Sequence, residues 1–320
     1  MTIRVYSAAE VHAALPWAAL ARGLEAAFVA GDVEVPLRHA HLLGDGGSLL
    51  LMPAWSASAL GVKLVTVMPK AAAQGLPTVQ ASYLLSDRAS GAPLALLDGE
   101  ALTLRRTAAA SALAAGRMAR RDAHTLLVVG AGRLAPWLVR AHLALRPALT
   151  RVLVWARQGP AAEALAAQLR GEGTDALALD DLADAVGSAQ IVSCATTATA
   201  PVVQGTWLAP GTHLDLVGGF RPDMREADDA AVARARIVVD TRAGALAEAG
   251  DLVQTLARGV IDPSRVVGDL AELLRGDVAG RTRDDEITLF KSVGTALEDL
   301  VAAQLVHDRE AAALRRGAPA

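Results

Sequence analysis

Gly130 and Gly132 close the apolar run Leu126-Leu-Val-Val-Gly-Ala-Gly132, which has strand character and is followed by a helix-length stretch. A second apolar run, Val152-Leu-Val-Trp-Ala156, comes next and is closed by Arg157. In such a strand–turn–helix unit the first glycine permits a tight turn, and the second lets backbone amides approach a pyrophosphate at the helix N-terminus. Ala135 stands where a third small residue would allow close helix–strand packing, although Arg133 and Leu134 make the turn bulkier than usual. Glycine spacing alone is a weak signal. The strand before it, the helix after it and a second strand with a charged tip make it a dinucleotide-binding βαβ unit. At that tip an acid would bind a ribose 2′-hydroxyl and repel a 2′-phosphate. The chain has Ala156-Arg157-Gln158, and a guanidinium suits the phosphate, so NADP(H) is expected ahead of NAD(H). The alternative is that Arg157 stacks on adenine without discriminating.

A second group with chemical potential is cationic. Arg38 in Val35-Pro-Leu-Arg-His39, Lys63 in Gly61-Val-Lys-Leu-Val65 and Arg106 in Leu102-Thr-Leu-Arg-Arg-Thr107 each sit among apolar residues. A charge in such surroundings is buried only when paired. Facing one cleft, the three would suit a small carboxylate, with arginine supplying a bidentate fork and lysine a proton it can release. Separate ion pairs with the chain's carboxylates are the plainer reading. Lysine is rare here, at positions 63, 70 and 291 only, so each retained one hints at a role for a compact, titratable amine.

With 31 basic and 34 acidic residues, the net charge of −3 implies neither a nucleic-acid nor a membrane-surface partner. The one cysteine, Cys194, lies in an apolar run, reads as a buried structural thiol, and rules out an internal disulfide or a cysteine zinc site. His39 and His41 share a strand face without an obvious third ligand, so no metal is expected. His12, His124, His142, His213 and His307 read as core-edge or surface residues. The N-terminus lacks a signal-like segment, and a cytoplasmic protein is expected. No G-x-S-x-G, H-E-x-x-H or P-loop sequence occurs.

The elements that would carry these residues divide in two, as 320 residues allow. Ser7-Ala-Ala-Glu10 forms a capping box, and Pro16 opens a helix that Gly31 stops. Short strands follow at 35–43, 48–53, 61–68, 78–86 and 93–98, spaced as in an antiparallel sheet. A helix over 103–119 leads into the Gly130 strand. Beyond Arg157 come a helix over 160–170, strands at 189–196, 212–217 and 237–240, a stretch over 266–270 that leads into a short helix, and, from Ile287, one long helix with Phe290, Val293, Leu297, Leu300 and Val301 on one face. That helix returns to the first domain. The expectation is α/β: a doubly wound Rossmann domain over 119–294, inserted into a discontinuous α+β substrate-binding and dimerisation domain formed by 1–118 and 295–320.

Several segments together resemble the ornithine cyclodeaminase/mu-crystallin family. They include Gly75-Leu-Pro-Thr-Val79, Leu104-Arg-Arg-Thr107, Pro210-Gly-Thr-His-Leu-Asp-Leu-Val-Gly-Gly219, Arg221-Pro-Asp-Met-Arg-Glu226 and Thr288-Leu-Phe-Lys-Ser-Val-Gly294. The resemblance implies a homodimer and assigns Arg38, Lys63 and Arg106 to the substrate carboxylate and reacting centre. It places Thr107, the turn Gly130, Ala131, Gly132, Arg133, Leu134 and Ala135, then Ala156, Arg157 and Gln158, at the cofactor. Thr196, Thr197, Val217, Gly218, Lys291 and Ser292 join them. Met52, Thr78, Phe220 and Val293 would wall the substrate pocket, and Lys291 has the alternative of merely orienting its own segment.

Departures from the family pattern bear on the activity. Cyclodeaminases carry an aspartate directly after the Gly-Gly pair, where it acts on the substrate amine, and here Phe220 stands in its place. Phenylalanine can neither take a proton nor pair with an ammonium, and the surrounding run looks like that of members that reduce cyclic ketimines. The turn also has Leu134 where glutamine is frequent, and Ala71 replaces a common asparagine. The resemblance therefore implies NAD(P)H-dependent reduction of a cyclic imine 2-carboxylate to L-proline or L-pipecolate. Ornithine cyclodeamination, an alanine-type dehydrogenase and a non-catalytic mu-crystallin-like binder are the alternatives.

Overall fold

The computed structural model describes residues 3–44 and 46–315, with side chains as far as 311. The chain divides into two units, one formed by Met1–Arg106 and Thr295–Ala320, the other by Thr107–Gly294. The first boundary falls inside a continuous helix rather than at residue 118.

The first unit contains β1 (Arg4–Tyr6), α1 (Ala8–Ala14), α2 (Trp17–Ala30), β2 (His39–Leu42), β3 (Ser48–Trp55), β4 (Ala59–Val67), β5 (Val79–Asp87) and β6 (Pro93–Asp98). Ser7 caps α1 with Glu10 reciprocating, and Gly31 ends α2 in the left-handed conformation that suits glycine. The six strands lie in the order β1-β6-β5-β4-β3-β2. Pairing is antiparallel except for β1, a strand absent from the sequence reading, which runs parallel to β6. Strand alternation sends every second residue inward. Met52, Lys63, Tyr83, Leu97 and Tyr6 stand side by side in register as one buried row across five strands. Lys63 is the only charged member of the row. The C-terminal helix, Ala296–Arg315, packs on β3, β4 and β5 and against α1 and α2. The opposite face keeps Val5, Leu60, Leu64, Leu84 and Leu96 exposed, an apolar surface larger than scattered single residues would give.

Arg38 lies before β2 and not on a strand, because the 35–43 stretch pairs only from His39, apart from a single bridge between Glu34 and Trp55. Pro36, which has no amide to donate, falls within the unpaired part.

α3 (Gly99–Met118) leads into the second unit. There follow β7 (Thr125–Val129), α4 (Ala135–Leu145), β8 (Arg151–Trp155), α5 (Gly159–Gly171), β9 (Ala176–Ala178), α6 (Leu182–Ser188), β10 (Ile191–Cys194) and β11 (His213–Leu216). α7 (Asp229–Arg234), β12 (Arg236–Val239), α8 (Arg242–Glu248), α9 (Gly250–Ala257), β13 (Val266–Asp269), α10 (Leu270–Arg275) and β14 (Thr288–Lys291) complete it. The eight strands run parallel in the order β13-β12-β14-β11-β10-β7-β8-β9. Apolar layers cover both faces, Leu127, Val129 and Leu216 on one and Leu126, Val128 and Ile191 on the other. This is the doubly wound α/β fold.

Two expectations fail in this unit. Residues 287–291 are not helical: β14 inserts between β11 and β12, all four of its residues are buried, and Phe290 is wholly inside. The helix begins only at Ala296, because Gly294 adopts φ +83°, a conformation that interrupts any helix. His142 and His213 are likewise fully buried rather than at an edge. His142 Nε2 lies 3.6 Å from Asp215, which also accepts hydrogen bonds from Ser193 (2.6 Å) and Ser111 (3.0 Å). Burial pushes His213 down to about 3, so it stays neutral while sharing a hydrogen bond with Thr288. Phe290→Ala is therefore expected to cost about 3–5 kcal/mol in urea denaturation, the penalty of a core aromatic; an exposed helix position would lose far less.

Candidate active site

In the first unit the carboxylate of Asp299 on the C-terminal helix forms an ion pair with Lys63 Nζ at 2.7 Å and accepts from Arg106 Nε at 3.0 Å. Glu298 takes Arg106 Nη1 at 2.6 Å. Lys63 also donates to Thr103 Oγ1 at 3.3 Å, one turn before Arg106 on α3. All four charged groups are almost fully buried. Desolvation lowers Lys63 to about 8; the neighbouring Arg106 and Arg38 push the same way, while Asp299 opposes them. Burial raises the Asp299 carboxyl, yet Arg106 and Lys63 outweigh it and hold the group below the usual aspartate range. Arg38 is half-buried and acts electrostatically on Lys63, so the structure brings the three expected cations together. Met52 faces Lys63 across the β3–β4 ladder. Thr78 does not join them: it is exposed, beyond the end of the β4–β5 ladder, and its carbonyl accepts from Met68.

The sequence reading missed Glu298 and Asp299. Two acids in the first turn of a helix look like ordinary dipole partners. The available signal is their position, directly before the apolar turn Leu300-Val-Ala-Ala303.

In the second unit the expected cofactor residues gather at the carboxyl ends of adjacent strands. Gly130–Ala135 follows β7, Ala156–Gln158 follows β8, Thr196-Thr197 follows β10, Val217-Gly218 follows β11, and Lys291–Val293 ends β14. Ligands of doubly wound sheets bind there, where strand order reverses; here that point lies at β7, between β8 and β10. Gly130 has φ +113°, and a Cβ on it would meet the Ala195 carbonyl at 2.7 Å. A Cβ on Gly132 would meet nothing within 4 Å, so the turn is open above it. No side chain caps α4, but Ala135 and Trp137 donate to the Gly132 and Leu134 carbonyls and Pro136 has no amide, so an anion at this helix start would face the glycine turn that precedes it. Ala135 is fully buried against the sheet. Arg157 is exposed and has no partner among the described residues. These features fit a dinucleotide.

Lys291 is wholly buried and donates to the carbonyls of Leu216 and Gly218, each at 3.1 Å, so its hydrogen bonds brace the Val217–Gly219 loop. Ser292 and Val217 are buried, Val293, Thr107, Ala131, Leu134 and Ala156 half-buried, and Arg133, Gln158, Thr197 and Phe220 exposed. Among the described residues no group of three or more histidine, cysteine or acidic side chains is arranged to hold a metal ion, and no single helix is long and apolar enough to cross a membrane.

A doubly wound dinucleotide-binding unit within the sequence of a sheet unit that buries a lysine–arginine–carboxylate cluster defines a nicotinamide-dependent class of protein. The family model for the ornithine cyclodeaminase/mu-crystallin family matches residues 2–313, and the chain belongs to that family. It is 43% identical over 274 residues to a Δ1-pyrroline-2-carboxylate reductase of Paracoccus denitrificans, covering 85% of this chain and 87% of the relative. Among solved structures it is similar to the Δ1-pyrroline-2-carboxylate reductase of Thermococcus litoralis in complex with NADH and L-proline. That likeness has a TM-score of 0.92 and 35% identity over 98% of both chains. It is also similar to an archaeal alanine dehydrogenase dimer with bound NAD, at a TM-score of 0.92 and 27% identity over 98% of this chain and 97% of the other.

Removing Asp299 would leave buried Lys63 without its carboxylate and Arg106 with Glu298 alone, and loss of one partner from a buried pair costs about 3–5 kcal/mol. Asp299→Ala is expected to lower stability by that amount in urea denaturation, whereas Arg4→Ala, which breaks an exposed pair with Glu10, should leave the midpoint almost unmoved.

Proposed function

We propose that the chain reduces a cyclic ketimine bearing a 2-carboxylate, Δ1-pyrroline-2-carboxylate or Δ1-piperideine-2-carboxylate, to L-proline or L-pipecolate. The observation that carries this reading is the pair of Lys63 and Arg106 on one buried aspartate, with Arg38 near enough to act on Lys63. A bound nicotinamide dinucleotide supplies the hydride. Arg38, and the Nη2 of Arg106 not engaged by Glu298 or Asp299, hold the substrate carboxylate and fix the C=N carbon; positioning of this kind supplies much of a rate enhancement. A protonated imine accepts hydride better than a neutral one. Lys63, near 8, gives its Nζ proton to the ring nitrogen, and Asp299 keeps that Nζ in place. Phe220 offers no group to act on a substrate amine, which disfavours a lyase.

The Gly130–Leu134 turn at the start of α4 holds the pyrophosphate, and exposed Arg157 favours a 2′-phosphate, making NADP(H) the preferred coenzyme. The two similar structures hold NADH and NAD, so this preference rests on Arg157 alone. The apolar sheet face bearing Leu60, Leu64, Leu84 and Leu96 pairs with a second copy, which removes it from water.

The test is NADPH oxidation with each imine. Lys63 must be protonated to donate, so kcat should fall as pH rises through about 8. Lys63→Met should lose that limb and at least about 10²-fold in kcat; unchanged turnover would remove Lys63 from the mechanism. Arg157→Ala should raise KM for NADPH about tenfold and leave that for NADH unmoved, as expected when a charge-assisted contact to one phosphate is lost.

A further inference from the structure

Beneath the Gly218-Gly219 turn the second unit buries two carboxyl groups and one amine. Glu226 Oε1 accepts from the Thr196 amide at 2.7 Å and from Thr196 Oγ1 at 2.9 Å, and so ties down the loop that follows β10. Its Oε2 is buried without a hydrogen-bond partner. Asp251, from α9, takes the amides of Glu226 (2.8 Å) and Ala227 (2.9 Å) on Oδ1, and its Oδ2 lies 3.4 Å from Lys291 Nζ. The glycine pair is required by these acids. A Cβ at Gly218 would sit 2.2 Å from Glu226 Oε1, and one at Gly219 2.3 Å from Asp251 Oδ2.

The amine cannot neutralise both acids. Lys291 is committed to two carbonyls and to Asp251, so an ionised Glu226 leaves the cluster one negative charge in excess. The other groups around it do not supply a cation. Cys194 on β10 is a buried thiol, and Asp240 at the end of β12 is itself acidic. The Arg225 guanidinium is spent on the Ala227 carbonyl, Asp229 and Thr255.

We propose that Glu226 is a positioning residue whose charge state sets the preference of the second unit for oxidised over reduced coenzyme. This rests on the coenzyme reading above, with the nicotinamide bound at the carboxyl ends of β10 and β11. The oxidised ring is cationic and the reduced ring neutral, so an excess negative charge in a low-dielectric setting discriminates between them. Burial, and Asp251 beside it, raise Glu226 to about 7 against the opposing effects of Lys291 and Thr196, which places the switch in the physiological range. Linkage makes the effect reciprocal: binding of oxidised coenzyme draws the Glu226 proton off to solvent, and binding of the reduced form does not.

Calorimetric titration of the whole protein with NADP+ and NADPH, in buffers of different protonation enthalpy, counts the protons released. Release is expected near pH 7 with NADP+ only. Affinity for NADP+ should tighten about three- to tenfold between about pH 6 and pH 8, while that for NADPH stays within about twofold. Glu226→Gln should abolish both effects, and Lys63→Met should keep both. Thr196→Val, which removes one stabilising donor, should move the release to higher pH even if Glu226→Gln does not fold. Absence of release in the wild type, its survival in Glu226→Gln, or an unmoved midpoint in Thr196→Val would overturn the proposal. Failure to bind any dinucleotide, NAD+ and NADH included, would sink the coenzyme reading as well, whereas binding without coupled protons sinks this proposal alone.

Discussion

A single carboxylate, that of Asp299, organises the inner face of the six-stranded sheet. Taking an ammonium and a guanidinium out of water costs several kcal/mol each, and only a charge fixed at hydrogen-bond distance from both can offset it. Asp299 lies 2.7 Å from Lys63 and 3.0 Å from Arg106, with Glu298 engaging the far side of the guanidinium. Two carboxylates for two buried cations leave the pair compensated. Arg38, half-buried nearby, is the third cation and acts on Lys63.

The second unit meets a similar problem with the opposite sign. Its buried acids outnumber the amine that faces them, and the surplus lies under a glycine pair that exists because no side chain would fit. One unit thus pairs its buried cations with carboxylates, while the other buries more carboxyl groups than amines.

Much of this was legible in the residues, and the reasons for the exceptions are specific. The Gly130 turn could be read because its strand, its glycines and its helix agree with one another. Lys63 and Arg106 stood out as charges in apolar runs. Their partners did not, since Glu298 and Asp299 resemble routine helix-start acids until the helix is seen lying on the sheet. β14 reads as helix in the sequence because four residues are too few to show a period of two, and Phe290, Val293 and Leu297 fall three and four apart. Gly294 was the contrary signal. Arg38 was placed on a strand because apolar neighbours outweighed Pro36. His142 and His213 were read as peripheral because sequence does not reveal that Asp215, Ser193 and Thr288 await them in the sheet interior.

The insertion of β14 also governs how the molecule can be made. β12 and β13 touch the rest of the large sheet only through Thr288–Lys291, and the helix that covers the small sheet follows later still. A chain emerging from the ribosome therefore carries an unsealed parallel sheet, and a small sheet with Lys63 uncovered, until Thr288–Lys291 and the helix from Ala296 have been synthesised. Such long-range pairing is slow and leaves strand edges open to aggregation meanwhile. Biogenesis, more than the stability of the finished protein, is where truncation near the C-terminus would be felt first.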